Sequence, residues 1–291
     1  MGRGHTKHWR RSVLAIILPL AMALAASQAT AQSKTDAAAE AGAASHGEIP
    51  AAQIPKAIAN ALSSPDRPAA DRELDAGRHS DQVLAFFGIA PGMKVADLWA
   101  GGGYTTDLLA RTVGPGGKVY SQNPPFPPAF KKSEDAWKAR LKEPGLGNVV
   151  ELQKPFDHPD DILPVPPESL DAVIINMNYH DMVGRGYDRA GINAAVFKAL
   201  KPGGVYGVID NSAAPGSGAR DANTLHRIDE AFEISEIKQA GFKLEAVSNV
   251  LRNPKDDRTW FIMQHRGEQD RFVLKFVKPR GAGGIGAGLP H

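Results

Sequence analysis

Cysteine is absent from this sequence, which removes disulfides, thiolate nucleophiles, iron–sulfur clusters and cysteine-ligated zinc in one step. Charge of either sign is not in excess: 34 Lys and Arg stand against 32 Asp and Glu. Long apolar runs are equally scarce. The longest, Ser12 to Ala26 (SVLAIILPLAMALAA), contains Pro19 and falls short of the roughly 20 residues a membrane-spanning helix needs. No acid precedes it, whereas Arg3, Lys7, Arg10 and Arg11 do, and Ala29 and Ala31 follow in QATAQ. A basic start, a short apolar stretch and an Ala-x-Ala site describe a secretory signal over residues 1–31, cut before Gln32. The mature product is then expected outside the cytoplasm, periplasmic or secreted. Cleavage removes four basic residues, so 34 becomes 30 against 32 acids. No electrostatic case for nucleic acid, or for a membrane surface after cleavage, is left.

Residues 32–50 are rich in Ala, Ser and Gly and read as a flexible leader; Gly281 to His291 read as a tail of the same kind. Between them, residues 51–280 are enough for one core held together without disulfides. MKVADLWA (93–100), GKVYSQN (117–123), NVVELQ (148–153), LDAVIINMN (170–178), GVYGVID (204–210) and FKLEAVSNVL (242–251) are short apolar runs bounded by turn residues. TTDLLARTV, AGINAAVFKALK and ISEIKQA separate several of them with helical spacing. Strands alternating with helices predict an α/β fold with an open, doubly wound sheet. Two further helical patterns precede the first strand, IPAAQIPKAIANALSS and PAADRELDAGRHSDQVLAFFGI. They form an N-terminal helical extension able to pack on the sheet or to lid a pocket. RFVLKFVKP (271–279) ends the fold, and RTWFIMQHRGEQD before it reads equally as strand or loop.

The first strand runs into Asp97-Leu-Trp-Ala-Gly-Gly-Gly-Tyr-Thr-Thr106. Glycines let a turn approach a ligand closely, and the helix that follows offers free N–H groups. A dinucleotide fingerprint would need a third glycine where Thr106 stands, and no acid follows about 20 residues on for a ribose. A P-loop is also missing.

PGMKVADLWAGGGYTTDLLA, GKVYSQN, LDAVIINMNYHD, LKPGGVYGVID and AGFKLE, in that order, resemble the successive motifs of the class I S-adenosylmethionine-dependent methyltransferases. SPDRPAADRELDAGRHSDQVLAFFGI in front, with LRNPKDDR and DRFVLKFVKP behind, is similar to an exported branch of predicted methyltransferases. The resemblance implies a Rossmann-like, seven-stranded, mostly parallel sheet with an antiparallel last strand. It implies S-adenosylmethionine as cofactor and a methyl acceptor, a small molecule or otherwise, that the sequence does not name.

By the same match, Asp97 and the turn Ala100, Gly101, Gly102 and Gly103 hold the methionine half of the cofactor. Gln122 and Asn123 occupy the position where the family usually has a ribose-binding acid. A neutral contact there is worth about 0.5–1.5 kcal/mol against about 1.5–3 for a charged one. Asn123-Pro-Pro-Phe126 matches an amino-methyltransferase signature but follows the second strand, where a rigid loop is the better reading. Asp157 matches the position that bonds the adenine amino group, with turn formation beside Pro159 as the other reading. Asn176 to Asp181 end the fourth strand, where ligands of open sheets lie. Asn176 is counted on the cofactor side. His180 is placed to take a proton from the acceptor, oriented by Asp181 or Tyr179. His180, Asp181 and His226 lack the tight local spacing of metalloenzymes, so no metal is expected. Lost ribose acid and export leave a second expectation open: a repurposed, non-catalytic fold binding a small molecule or a cell-envelope partner.

Overall fold

The computed structural model describes the backbone of residues 45–46, and residues 53–280 in full. The signal read over 1–31 and the tail 281–291 lie outside the described residues, as does the leader apart from two positions. Those two form β1 (Ser45–His46), which is followed by three helices: α1 (Lys56–Leu62), α2 (Ala69–Arg78) and α3 (Ser80–Phe87). Then come β2 (Lys94–Leu98), α4 (Tyr104–Val113), β3 (Lys118–Asn123), α5 (Lys131–Arg140) and β4 (Val149–Gln153). The chain continues through β5 (Leu170–Asn176), α6 (Tyr179–Gly184), α7 (Arg189–Ala199) and β6 (Leu200–Asn211). It closes with α8 (Glu230–Gln239), β7 (Lys243–Ser248) and β8 (Arg271–Val277).

The strands form one sheet in the order β1-β7-β8-β6-β5-β2-β3-β4. Pairings among β2 to β6 are parallel, and β8 runs antiparallel to both β6 and β7. This is the expected seven-stranded sheet with an antiparallel last strand. To it β1, inside the segment read as a leader, adds a two-residue parallel pairing with β7.

Central strands of a parallel sheet are buried on both faces and read as continuous apolar runs, and successive side chains alternate between the faces. In β2, Val95 packs with α1, α3 and α4 on one face, whereas Ala96 and Leu98 pack with α6 to α8 on the other. In β5, Ala172 and Ile174 divide from Val173 and Ile175 in the same way. Gly207 in β6 has no side chain because Phe87 lies against it: a Cβ there would come within 2.9 Å of the ring. That contact seats α3 on the sheet.

Two boundaries differ from the sequence reading. The long pattern before β2 is broken at His79, whose φ of 43° separates α2 from α3 and turns α2 toward the carboxyl ends of the strands. LKPGG belongs to β6 rather than to a connecting turn, and the register with β5 slips between Leu170 and Ala172 to accommodate it. Proline is tolerated in a strand at such an irregularity.

The undecided stretch RTWFIMQHRGEQD (258–270) is a series of turns. It is tied down by the Arg227 guanidinium, which donates to Asp256 at 2.7 Å with both side chains fully buried and stacks over Trp260 at 4.4 Å. Removing one partner of such a pair leaves a buried charge without compensation. Asp256→Ala is therefore expected to lower unfolding free energy by about 3–5 kcal/mol in urea titration, a larger loss than Asp257→Ala one position on the surface.

Candidate functional site

The turn after β2 is held by side chains from β3. Gln122 accepts from the Trp99 amide at 3.1 Å and donates to the Lys154 carbonyl at 2.8 Å. Asn123 accepts from the Gly101 amide at 2.8 Å and donates to the Gly101 carbonyl at 3.2 Å. Both polar ends of each side chain are engaged with backbone, and both residues are buried. Trp99, with φ 58°, and Gly101, with φ 57°, take left-handed conformations that this clamp sustains. A Cβ on Gly103 would lie 1.9 Å from the Trp137 ring, so glycine there lets α5 cover the turn. Positions 101 and 102 have open space where a Cβ would point.

Asp97 stands beneath this turn, 1% exposed, and accepts from the Thr106 hydroxyl at 2.6 Å and from the Thr106 amide. Burial pushes its carboxyl up to about 7, against the pull of those donors. Facing it from the helical extension is Arg78, whose guanidinium stacks on the Tyr104 ring at 4.2 Å and whose charge is weakened by burial. Arg271 at the start of β8 is also buried. Burial first, and Arg78 nearby second, push it down to about 10. The two cations are thus held without full compensation, an arrangement that favours an anion between or beside them.

Across the cleft, β5 ends at Asn176, and Met177 follows with φ 58°. Backbone strain of this kind costs about 1–3 kcal/mol per residue and collects at ligand sites. His180 opens α6. Its amide donates to Asp210 at 2.8 Å, and its Nδ1 lies 2.6 Å from the same carboxylate at the end of β6. Burial opposes charge on this imidazole, but Asp210 prevails and holds it above the ordinary histidine value. The Nε2 of His180 faces His226 Nδ1 at 3.2 Å, with Asp181 beside both.

These parts line one cleft of about 730 Å³, within the size range of small-molecule sites. Asp97, Ala100, Gly101, Gly102, Asn176, His180 and Asp181 are on its walls, with Arg78 and Leu74 from α2 on one side and Met263 and Arg266 from the 258–270 turns on the other. The sequence-predicted residues divide here. Gln122 and Asn123 support the turn from behind and do not line the cleft. Asp157 is exposed away from it. Tyr179 points to the opposite side of α6, where it donates to Glu236 at 3.1 Å and accepts from Asn193 at 2.9 Å. Asp210, not Asp181 or Tyr179, orients His180. Arg271 escaped the sequence reading because it looks like an ordinary charge before an apolar strand. Trp137 escaped because the amphipathic pattern of α5 is weak.

The order of strands, the glycine turn after the central strand and the cleft at the carboxyl strand ends together decide the architecture. The fold is that of the class I methyltransferases. A crystal structure of an S-adenosylmethionine-dependent methyltransferase from Aquifex aeolicus superposes with a TM-score of 0.52 at 19% identity, covering 73% of this chain and 98% of that one. The [4+2]-cyclase SpnF superposes with a TM-score of 0.53 at 16% identity, covering 81% of this chain and 100% of its own. In sequence, the chain is 27% identical over 206 residues to an arsenite methyltransferase of Halobacterium salinarum, across 67% of this chain and 48% of that protein. The chain therefore spans about half the length of that curated relative. No protein-family model matches the chain.

The clamp reverses one expectation. From sequence, Asn123→Asp restores the family's usual acid and should tighten cofactor binding. Here the amide nitrogen donates to the Gly101 carbonyl, and aspartate would set oxygen against oxygen. Asn123→Asp is expected to lower stability by about 1–3 kcal/mol in chemical denaturation and to weaken ligand binding; tighter binding would show that the turn tolerates the loss.

Proposed function

We propose that the cleft binds S-adenosylmethionine and that the chain transfers its methyl group to an acceptor lying against α6. The observation that carries this reading is the pairing of a buried, uncompensated carboxylate at Asp97 with two incompletely neutralised cations, Arg78 and Arg271, around an open glycine turn. The methionine end of the cofactor is a zwitterion with a sulfonium beside it, and charge-assisted contacts are about twice as strong as neutral ones. Asp97 is matched to the cationic centres and the two arginines to the carboxylate.

When bound, the cofactor supplies a methyl group already activated by the sulfonium. The chain's own work is alignment and exclusion of water. The Gln122 and Asn123 clamp fixes the turn, α2 and the 258–270 turns wall the cleft, and His180, held by Asp210, stands where an acceptor proton is taken up. Asn123 turns both ends of its amide to the Gly101 backbone rather than into the cleft, so it offers the ribose no side-chain contact. The acceptor of the arsenite methyltransferase is not carried over, because a chain without cysteine offers no thiolate for a soft ion.

A second reading keeps the cleft and drops the reaction. The fold of SpnF, named for a cyclisation, shows that this architecture hosts other chemistry. Calorimetric titration of the mature chain decides between them. Micromolar binding of S-adenosylmethionine and S-adenosylhomocysteine supports methyl transfer, and no binding up to millimolar defeats it.

Ionised Asp97 is the form that binds a cation. With its carboxyl at about 7, most of the free protein is protonated at pH 6, so affinity should be about tenfold weaker there than at pH 8, with proton uptake or release visible on changing buffer. The folded-state value lies above the ordinary 3.8, so ionisation costs stability as pH rises from about 4 to about 7. Asp97→Asn should accordingly melt higher than the parent at pH 8 while losing cofactor binding. We also propose export, from the signal read over residues 1–31. Protein recovered from outside the cytoplasm should begin at Gln32, and an uncleaved cytoplasmic product would overturn that.

A further inference from the structure

Two adjacent donors, His180 and Asp181, and a third, His226, 46 residues further along the chain from His180, meet at the carboxyl ends of β5 and β6. His180, Asp181 and His226 place one ligand atom each within 4.8 Å of the others. The separations are 3.2 Å between His180 Nε2 and His226 Nδ1, 3.4 Å between His226 Nδ1 and Asp181 Oδ1, and 3.8 Å between His180 Nε2 and Asp181 Oδ2. An ion bound tetrahedrally at about 2.0–2.2 Å from nitrogen and oxygen keeps its ligands about 3.3 Å apart. The imidazole pair and the His226–Asp181 edge are close to that spacing; the His180–Asp181 edge is wider and is measured to the other carboxylate oxygen, so a small rotation of the Asp181 carboxylate completes the set.

A hydrogen bond between the two imidazoles would account for the 3.2 Å approach alone. It does not account for the rest of the arrangement. Asp210 accepts only, so Nδ1 of His180 carries the proton toward it and Nε2 presents its lone pair to the cluster. A histidine that donates its other ring nitrogen to a carboxylate is the usual support of a metal ligand. His226 is held with φ 53°, and Asn211 secures that strained backbone by donating to its carbonyl at 3.2 Å. The cluster opens into the main cleft, where His226 and Asp181 are part-exposed and His180 is buried.

We propose that His180, Asp181 and His226 bind one divalent transition-metal ion, zinc by the chemistry of two imidazoles and one carboxylate, with Asp210 as the positioning residue. Three protein ligands leave a coordination position open toward the cleft. With the ion bound, Nε2 of His180 is a ligand and no longer takes the acceptor proton; the open position instead activates an oxygen or nitrogen donor of the acceptor, a role that rests on the methyl-transfer reading, whereas metal binding itself does not.

The test is calorimetric titration of chelator-treated mature protein with zinc chloride, without cofactor. One zinc per chain at roughly micromolar strength or tighter is expected. Asp181→Asn and His226→Asn should each weaken it by about a hundredfold or more. Asparagine is chosen at 226 because it tolerates the left-handed backbone, and melting temperatures check that both variants fold. His265→Asn, on an exposed turn, should leave binding unchanged. In the unsubstituted protein, Co²⁺ should give the intense visible bands of a four-coordinate site. An absence of saturable zinc binding, equal loss on changing His265, or a six-coordinate aqua spectrum for Co²⁺ overturns the proposal. Zinc binding without S-adenosylmethionine binding would instead defeat the methyl-transfer reading and leave the metal site standing.

Discussion

The shape of the cleft depends on a clamp between two side-chain amides and the main chain of one turn. Backbone between Trp99 and Gly103 departs from the sheet in conformations that an L-residue adopts at a cost. Gln122 and Asn123 offset that cost by satisfying its amides and one of its carbonyls, and Gln122 reaches on to the strand end at Lys154. A carboxylate in the same place accepts but does not donate. The departure from the usual ribose acid is therefore coupled to the turn itself, and a ligand that fits this cleft meets a preorganised main chain at the turn.

Electrostatic tension is distributed unevenly around the cleft. On the β2 side a carboxylate is buried with hydrogen bonds from Thr106 and the weaker pull of the Arg78 charge, and two arginines are buried without equal anions. On the β6 side Asp210 is the centre. It gathers the His180 ring, the His180 amide and the Asn211 amide, while burial keeps the Glu233 carboxyl behind it well above the ordinary carboxylate range. The Asp210 carboxylate is what orients the imidazole. Such uncompensated groups work against stability and are what a bound molecule can relieve.

Strand positions and the glycine turn were legible in the sequence because they are local: short apolar runs bounded by turn residues, Gly at positions 101 and 103, and Asp97 at a strand end. Phe87 and its glycine partner were half legible, since a helical pattern shows that a face is buried but not what it covers. The partner of His180 was not legible, because Asp210 lies 30 residues further along the chain and only parallel pairing of β5 with β6 brings the two together. The same holds for His226, whose place is set by a loop secured at Arg227 and Asp256. Tyr179 was misjudged because its partners are distant in sequence: its hydroxyl is taken up by Glu236 and Asn193 on the far side of α6.

The antiparallel strand β8 lies between β6 and β7 although every other strand among the described residues precedes it in the chain. During synthesis, therefore, β6 and β7 have no common neighbour until residues 271–277 have emerged, and their facing edges stay unpaired. Arg271 and the 258–270 turns reach the cleft in that same last segment. The sheet and the ligand site therefore both wait for the same last segment of the fold, residues 258–277.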